Sequence, residues 1–498
     1  MKLLISLLGN FRYKEVSYSY TLTKPSPENG SPYKDKSQIS SHIIAKAENV
    51  DRWILLVPFT IYHEHIKDFN ISGNSYDYYI KKLKEALHFN ENISKQISYF
   101  IKNFENEEKG TIYIIPGFGT FKSNYKDSKN ESAKGVIASY SWEKKNEKYK
   151  ITMMRDYIYI KLYNELRSIN VKEGEEVEIF LDITHGINYY SIITYDALLN
   201  AIYSRVFNKV ILRVYNSDPV NTEPMDGEVF NLNNIITTII QPKDCYNLLV
   251  KNFNLNSKEN QDTQKMEIEY KKIHDDIFKL GSAAEAGQFI LIHYLNKFNY
   301  LNEIFKPIDS VLQKFDCDLK VKLYADEKEN LREFKYSYDN EYFRNLYMLH
   351  SFLNLLKSIN LKEEKICGEV ANNCLAEDTG IRITSLKDVA QKYGGKLIRD
   401  LIRNEIDQLE KTEKEYNKGW SGFIRLRDIL DKCNQVKSSS YLPNERNMIA
   451  HGGLERNITC IFKYDDDILI RYSSSETCSE IDREGALEIL KIFSKKGD

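Results

Sequence analysis

Short aliphatic and β-branched runs recur through the first half of the chain, at Leu3–Leu8, Trp53–Val57, Thr111–Ile115, Val177–Leu181 and Val210–Val214, each followed by a turn signal. These predict parallel strands. Between them Tyr79–Phe89, Tyr157–Ser168 and Tyr189–Val206 carry helical spacing, and the alternation predicts an open, doubly wound sheet over about residues 1–240. Such a sheet binds ligands beyond the carboxyl ends of its strands. The loops Gly9-Asn10, Pro116-Gly117-Phe118-Gly119 and Asp182-Ile183-Thr184-His185-Gly186, which follow the first, third and fourth runs, are expected along one rim.

After Pro242 the pattern changes to long helical segments with lysine- and glutamate-rich faces: Met266–Leu280, Ala283–Leu301, Glu341–Ile359 and Asp388–Leu409. A second, mainly α-helical domain over 241–498 follows. Two stretches, Lys306–Tyr338 and Lys362–Ser385, break the regularity and read as insertions into it. Asn457–Tyr464 and Ile468–Ser473 alternate apolar and polar residues around the acidic turn Asp465–Asp467, as a hairpin does, and Arg483–Phe493 is a closing helix.

A length of 498 residues also calls for two or three domains, and 42% hydrophobic with 29% charged residues is a soluble, folded balance. Lys+Arg at 70 against Asp+Glu at 72 excludes a protein that holds nucleic acid by bulk positive charge, so any RNA contact must be local. MKLLISLL at the start reads as a strand rather than a secretion leader, because the apolar run is short and no small-residue cleavage site follows. No run approaches the roughly 20 apolar residues of a membrane helix, so no membrane partner and a cytoplasmic location are expected. The seven Cys form no CxxC pair, which gives no sign of a zinc or thioredoxin-like site, although Cys460 and Cys478 flank the hairpin and could pair.

The segment Leu442–Gly453, LPNERNMIAHGG, concentrates the chemistry. Pro443 and Asn444 can start a helix and Gly452-Gly453 can stop it, which puts His451 at the end of a very short one. At 3.6 residues per turn Asn447 and His451 share a face, while Arg446 lies about 140° from His451 and must use its length. An imidazole, an amide to orient it and a fixed cation for a phosphate oxygen suit phosphodiester cleavage without a metal. The plain alternative is a helix-terminal His completing a cap beside a solvated Arg. Arg344–His350 has a similar composition, but Leu346, Leu349 and Leu356 mark an apolar stripe there, which predicts packing.

A strand that ends in Asp182 and opens into Thr184, His185 and Gly186 places a hydroxyl, an imidazole and a backbone amide at a helix start, a set suited to phosphate or ribose. The competing reading makes Asp182 a cap and His185 a buried polar residue. Gly117-Phe118-Gly119 lacks GxGxxG spacing, so no dinucleotide cofactor is expected. His63 and His65 flank Glu64 without a third ligand at metal spacing, which makes them surface residues and leaves no metal site.

Arg446-Asn447-x-x-Ala450-His451-Gly452 resembles the signature of HEPN ribonucleases in the form found among CRISPR-associated CARF–HEPN proteins. Asp182–Asn188 resembles the ligand loop of their CARF domains, and the first strand ending in Gly9-Asn10 is also similar. The group nearest in kind is the type III accessory ribonucleases of the Csx and Csm kind. The resemblance implies an α/β plus α protein, a Rossmann-like CARF sensor over 1–240 before a HEPN effector over 241–498. It implies a cofactor-free, metal-independent endoribonuclease that cuts single-stranded RNA to 2′,3′-cyclic phosphates. Its allosteric activator would be a cyclic oligoadenylate, with cyclic tetra-adenylate fitting a two-fold pocket. Arg446, Asn447 and His451 are then the catalytic set, and Asn10, Thr184, His185, Gly186 and Asn188 the ligand contacts. One motif supplies one Arg and one His, so a homodimer or an oligomer of dimers is implied, with a composite site on the two-fold axis. Two rivals remain: a ligand-responsive regulator holding DNA through a helix at Gly419–Asp431 with Arg425 and Arg427, and a HEPN toxin under antitoxin control. The near-neutral charge disfavours the first, and the large sensor the second.

Overall fold

The computed structural model describes residues 1–8, 16–23, 32–37, 39–58, 110–123, 136–142, 150–172, 174–185, 188–205, 208–218, 228–256, 268–313, 320–326, 331–337, 343–366, 379–416, 420, 422–434, 445–475 and 477–493. They form two compact units, each with its own core.

The first unit comprises Met1–Gln241 and Phe315–Arg344. Its chain runs β1 (Lys2–Leu7), β2 (Val16–Tyr20), β3 (Tyr33–Ser37), α1 (Ser40–Glu48), β4 (Arg52–Pro58), β5 (Gly110–Ile115), β6 (Gly119–Ser123), β7 (Val136–Trp142), α2 (Lys150–Ser168), β8 (Glu176–Asp182), α3 (Asn188–Arg205), β9 (Lys209–Ser217) and β10 (Val229–Ile240). The large sheet has eight strands in the order β3-β2-β10-β9-β8-β1-β4-β5. β9, β8, β1, β4 and β5 run parallel, so the five apolar runs are the strands that the hydrophobic pattern predicts. Leu3, Leu4, Ile5, Ile54, Leu55, Ile179 and Leu181 are fully buried. A parallel sheet with helices on both faces needs apolar residues on both, and each such side chain contributes about 2 kcal/mol when removed from water. Strand order reverses between β1 and β8, the point at which neighbouring loops diverge and leave a crevice at the carboxyl edge. The predicted helix Tyr79–Phe89 lies outside the described residues.

The second unit comprises Pro242–Lys314 and Asn345–Asp498. It begins with α4 (Pro242–Asn256), α5 (Ile268–Glu285), α6 (Phe289–Lys297) and α7 (Tyr300–Gln313). After β11 (Lys320–Asp326) and β12 (Leu331–Ser337) come α8 (Phe343–Ser358), β13 (Glu363–Lys365), β14 (Thr379–Arg382), α9 (Ile383–Tyr393), α10 (Lys396–Glu415), β15 (Ile424–Arg425), α11 (Leu426–Asn434), α12 (Glu445–Ala450), β16 (Thr459–Tyr464), β17 (Asp467–Tyr472) and α13 (Arg483–Lys491). The predicted helix Ala283–Leu301 runs through the end of α5, all of α6 and the start of α7, because Gly287 at φ 69° and Asn299 at φ 63° break the chain on either side of α6. The predicted Asp388–Leu409 also divides, at Gly394-Gly395, where both glycines are extended, with φ −67° and −62°.

The stretch Lys306–Tyr338 is not an insertion into the helical unit. Its first part completes α7, and the β11–β12 hairpin belongs to the first unit, in a four-stranded sheet of order β11-β12-β7-β6. β12 runs parallel to β7 from Leu331 opposite Ile137 to Tyr336 opposite Trp142. The hairpin satisfies backbone groups on one edge of β7, a pairing across distant sequence that leaves no local trace. Lys362–Ser385 supplies β13 and β14 to the sheet β13-β14-β17-β16-β15, with 367–378 outside the described residues. Around these strands the second unit is mainly helical.

Candidate functional site

α12 contains Arg446 and Asn447 and ends in the two glycines that the sequence marked. Gly453 N–H donates to Met448 O at 3.0 Å and Gly452 N–H to Ile449 O at 3.4 Å, the paired bonds of a left-handed helix stop, with His451 as its last half-helical residue. Gly452 and Gly453 adopt φ 54° and 88°. A Cβ on Gly453 would stand 2.9 Å from the Tyr472 hydroxyl, and one on Gly452 would stand 2.9 Å from Ile402 Cγ1, so both positions require glycine. The stop is held from outside as well. The buried Gln288 donates to Met448 O at 2.8 Å, and Tyr472 OH donates to Gly453 O at 2.5 Å. The end of a six-residue helix, too short to be stable alone, is thereby fixed against the core of the second unit.

The three predicted residues of this motif take different positions. Arg446 is exposed. His451 is partly exposed, and its Nδ1 stands 3.0 Å from Oε1 of Glu405 on α10. Asn447 does not turn its amide to the ring: it hydrogen-bonds the carboxylate of Glu455, which also accepts from Asn457 N–H at 2.9 Å. Burial raises the Glu455 carboxyl above its ordinary value, and those hydrogen bonds offset part of the rise. Asn447 therefore ties the helix to the loop behind it, and the side chain in contact with His451 is Glu405. Sequence reasoning missed Glu405 because it lies on another helix at no fixed spacing from the motif. Pro443 and Asn444 are outside the described residues.

His350, the decoy, is fully buried in α8, with Asn354 donating to its Nδ1 at 3.1 Å and Phe305 packed on the ring at 4.7 Å. The proposed DNA-reading arginines are structural too. Arg425 is buried in β15 and its guanidinium donates to the carbonyls of Asn457, Ser473 and Ser475, while the buried Arg427 donates to Asn457 Oδ1 at 3.3 Å. Neither is displayed as a recognition helix would display it.

In the first unit the Asp182 loop leaves β8 beside β1, at the reversal of strand order. Asp182 is fully buried; its Oδ2 accepts from the Ser40 hydroxyl at 2.5 Å and its Oδ1 from Thr184 N–H at 3.0 Å. The Thr184 hydroxyl accepts from Ser217 N–H at 3.1 Å, and His185 Nε2 accepts from Ser40 N–H, the first of α1, at 3.2 Å. Burial lowers the His185 pKa, with Asp182 offsetting part of the effect. The neutral ring thus carries its proton on Nδ1. Two residues of α3 reach the neighbouring loop: Tyr190 OH donates to Pro116 O and Tyr189 OH to Phe118 O, both at 3.2 Å. The first turn of α3, which follows the Asp182 loop, therefore holds the loop between β5 and β6. Asn10 and Gly186 lie outside the described residues; Asn188 opens α3. Among the described residues no group of His, Cys, Asp and Glu is arranged to hold a metal ion.

Residues 3–219 match the family described as CRISPR system endoribonuclease Csx1, CARF domain, and residues 395–475 match CRISPR system endoribonuclease Csx1, HEPN domain. The first match contains the Asp182 loop, and the second contains both Glu405 and the Arg446–His451 turn. The chain is similar to the CRISPR system endoribonuclease Csx1 of Methanocaldococcus jannaschii, at 28% identity over 243 residues. That stretch is 48% of this chain and 41% of the relative, so the chain spans about two fifths of the relative's length.

Proposed function

Because the chain belongs to the CARF–HEPN family of CRISPR-associated ribonucleases, we propose that it is an endoribonuclease of single-stranded RNA, silent until a cyclic oligoadenylate occupies the first unit. The observation that carries this reading is the α12 stop, which presents a partly exposed His451 and an exposed Arg446 on one fixed turn. In the proposed reaction the RNA 2′-hydroxyl attacks its own phosphodiester. His451 moves the proton and Arg446 offsets the charge that grows on the phosphate oxygens. The products are a 2′,3′-cyclic phosphate and a 5′-hydroxyl, and the step requires no metal. A second copy of the chain supplies the second histidine, so that one imidazole acts as base and the other as acid across a two-fold axis. The activator, which we take to be cyclic tetra-adenylate, sits at the carboxyl edge between β1 and β8, with Asn10, Thr184, His185, Gly186 and Asn188 around it. Since Thr184 Oγ1 already accepts a backbone hydrogen bond, it would serve the ligand through the hydroxyl proton.

The test incubates the protein with single-stranded RNA in EDTA, with and without cyclic tetra-adenylate or the six-membered ring. Cleavage that appears only with a ring, and falls at least about a hundredfold in His451→Ala and in Arg446→Ala, is the expected result. His185→Ala should raise the ring concentration required and leave cleavage at saturation largely intact. Activity that survives His451→Ala, cleavage of DNA, or dependence on a divalent ion would contradict the reading.

A further inference from the structure

The α12 motif accounts for one arginine and one histidine but leaves the carboxylate beside the histidine without a role. We propose that Glu405 is a positioning residue that holds the His451 ring and balances the positive charge it takes up during proton transfer. The proposal rests on the ribonuclease reading given above.

The geometry favours a dedicated partner. Glu405 Oε1 stands 3.0 Å from His451 Nδ1, with the two side chains only 15% and 23% exposed. A carboxylate removed that far from water loses much of its hydration, and that loss is tolerable only beside a positive or proton-bearing group. Among the described residues His451 is the one cationic group in ion-pair contact with it. The contact is a charge pair rather than an aligned hydrogen bond, because the ring N–H does not point along the line to the oxygen. Its strength therefore grows when the imidazole becomes protonated, the moment at which a general acid or base needs it. Nε2, the nitrogen on the other side of the ring, is left for the substrate.

Rigidity supports the same conclusion. Glu405 lies on α10 among Ile402, Ile406 and Leu409, all buried, so the helix backbone is fixed on both sides of it. Ile402 is also the residue on which Gly452 is seated. One turn of α10 thus sets both the position of the helix stop and the position of its charge partner, and groups on packed helices hold such geometry better than groups on loops. The other carboxylate that acts on His451 is Glu455, from the loop after the stop. It is occupied by Asn447 and the backbone of Asn457, and it is unchanged in the variants below.

The experiment uses the full chain, activated by cyclic tetra-adenylate, with Glu405→Gln, Glu405→Asp and His451→Ala compared across pH. Glu405→Gln keeps the shape and removes the charge. Its kcat should fall about ten- to a hundredfold, part of the about 10²–10⁴ that general acid–base catalysis supplies, with KM nearly unchanged. The limb of the pH–rate profile that reports a protonated His451 should move to lower pH, and Glu405→Asp should recover most of kcat. A Glu405→Gln enzyme with wild-type kcat and pH profile, beside a silent His451→Ala, overturns the proposal and leaves the ribonuclease reading standing. Activity in His451→Ala overturns both. If Glu405→Gln is poorly folded, Glu405→Ala carries the kinetic test. Imidazole nitrogen signals of histidine-labelled protein, with His451 identified by its loss in His451→Ala, give a readout without activity. A His451 signal at the same shift in wild type and Glu405→Gln across its titration overturns the contact.

Discussion

At the scale of single residues, the first unit buries two imidazoles, His42 and His185, and burial lowers the pKa of both. His42 goes from an ordinary 6.5 to about 4. In the unfolded chain both rings take up a proton near pH 6.5, whereas in the folded chain both resist protonation at that pH, His42 until about 4. Between those limits the unfolded state binds more protons, so acid favours it. The contribution to stability should be complete above about pH 6.5 and lost as the pH falls towards about 4. Thermal unfolding followed by circular dichroism at pH 7.5, 6 and 5 should show a falling midpoint, with His42→Leu, close in size and unable to titrate, falling less steeply. An equal slope in the variant would assign the acid sensitivity elsewhere. The residues differ sharply in how far sequence discloses them. The short helix and glycine stop around Arg446 and His451 are legible because helical spacing and a glycine stop are local, whereas the bond of Asn447 to Glu455 is not. Glu405 is not, nor is the use of the Thr184 hydroxyl and the His185 ring as backbone acceptors, since Ser217, Ser40 and α10 approach only in the folded chain.

Among the elements, buried parallel strands were the easiest to read, since each is a single apolar run. The helical breaks at Gly287 and Gly394-Gly395 were present in the sequence but masked by apolar spacing that continues across them. The hairpin β16–β17 is legible by alternation, and Cys460 within β16 is joined to Cys478 beyond β17. The disulfide is buried in a small cluster with Phe423 and Leu469. Closing a loop over a sequence separation of 18 contributes about 3 kcal/mol on the chain-entropy account. A double Cys460→Ala, Cys478→Ala variant should therefore melt about 6–12 °C lower, if each kcal/mol shifts the midpoint of a unit of this size by about 2–4 °C. Scanning calorimetry reads this directly, and an unshifted second-unit transition would mean that packing alone secures the sheet. The hairpin also carries Tyr472, which holds Gly453, so loosening it is felt at the turn that presents His451.

For the molecule as a whole, the decisive feature is the β11–β12 hairpin, which lies in the sequence between two helices of the second unit and in space within the first. The chain passes between the units after Gln241, after Lys314 and after Arg344. A fragment ending at Gln241 would leave β7 with an open edge, and an exposed strand edge invites pairing with other copies. Such a fragment should aggregate on size-exclusion chromatography, whereas one carrying 315–344 after a short linker should elute as a compact species with native circular dichroism. A monodisperse, native fragment 1–241 would show the hairpin to be dispensable. The consequence reaches beyond stability to inheritance. A unit made of one contiguous stretch of gene can be exchanged by a single recombination, but the first unit is written in two separate stretches, with part of the second unit between them. Joining the first unit to a different partner domain then requires both stretches to move together.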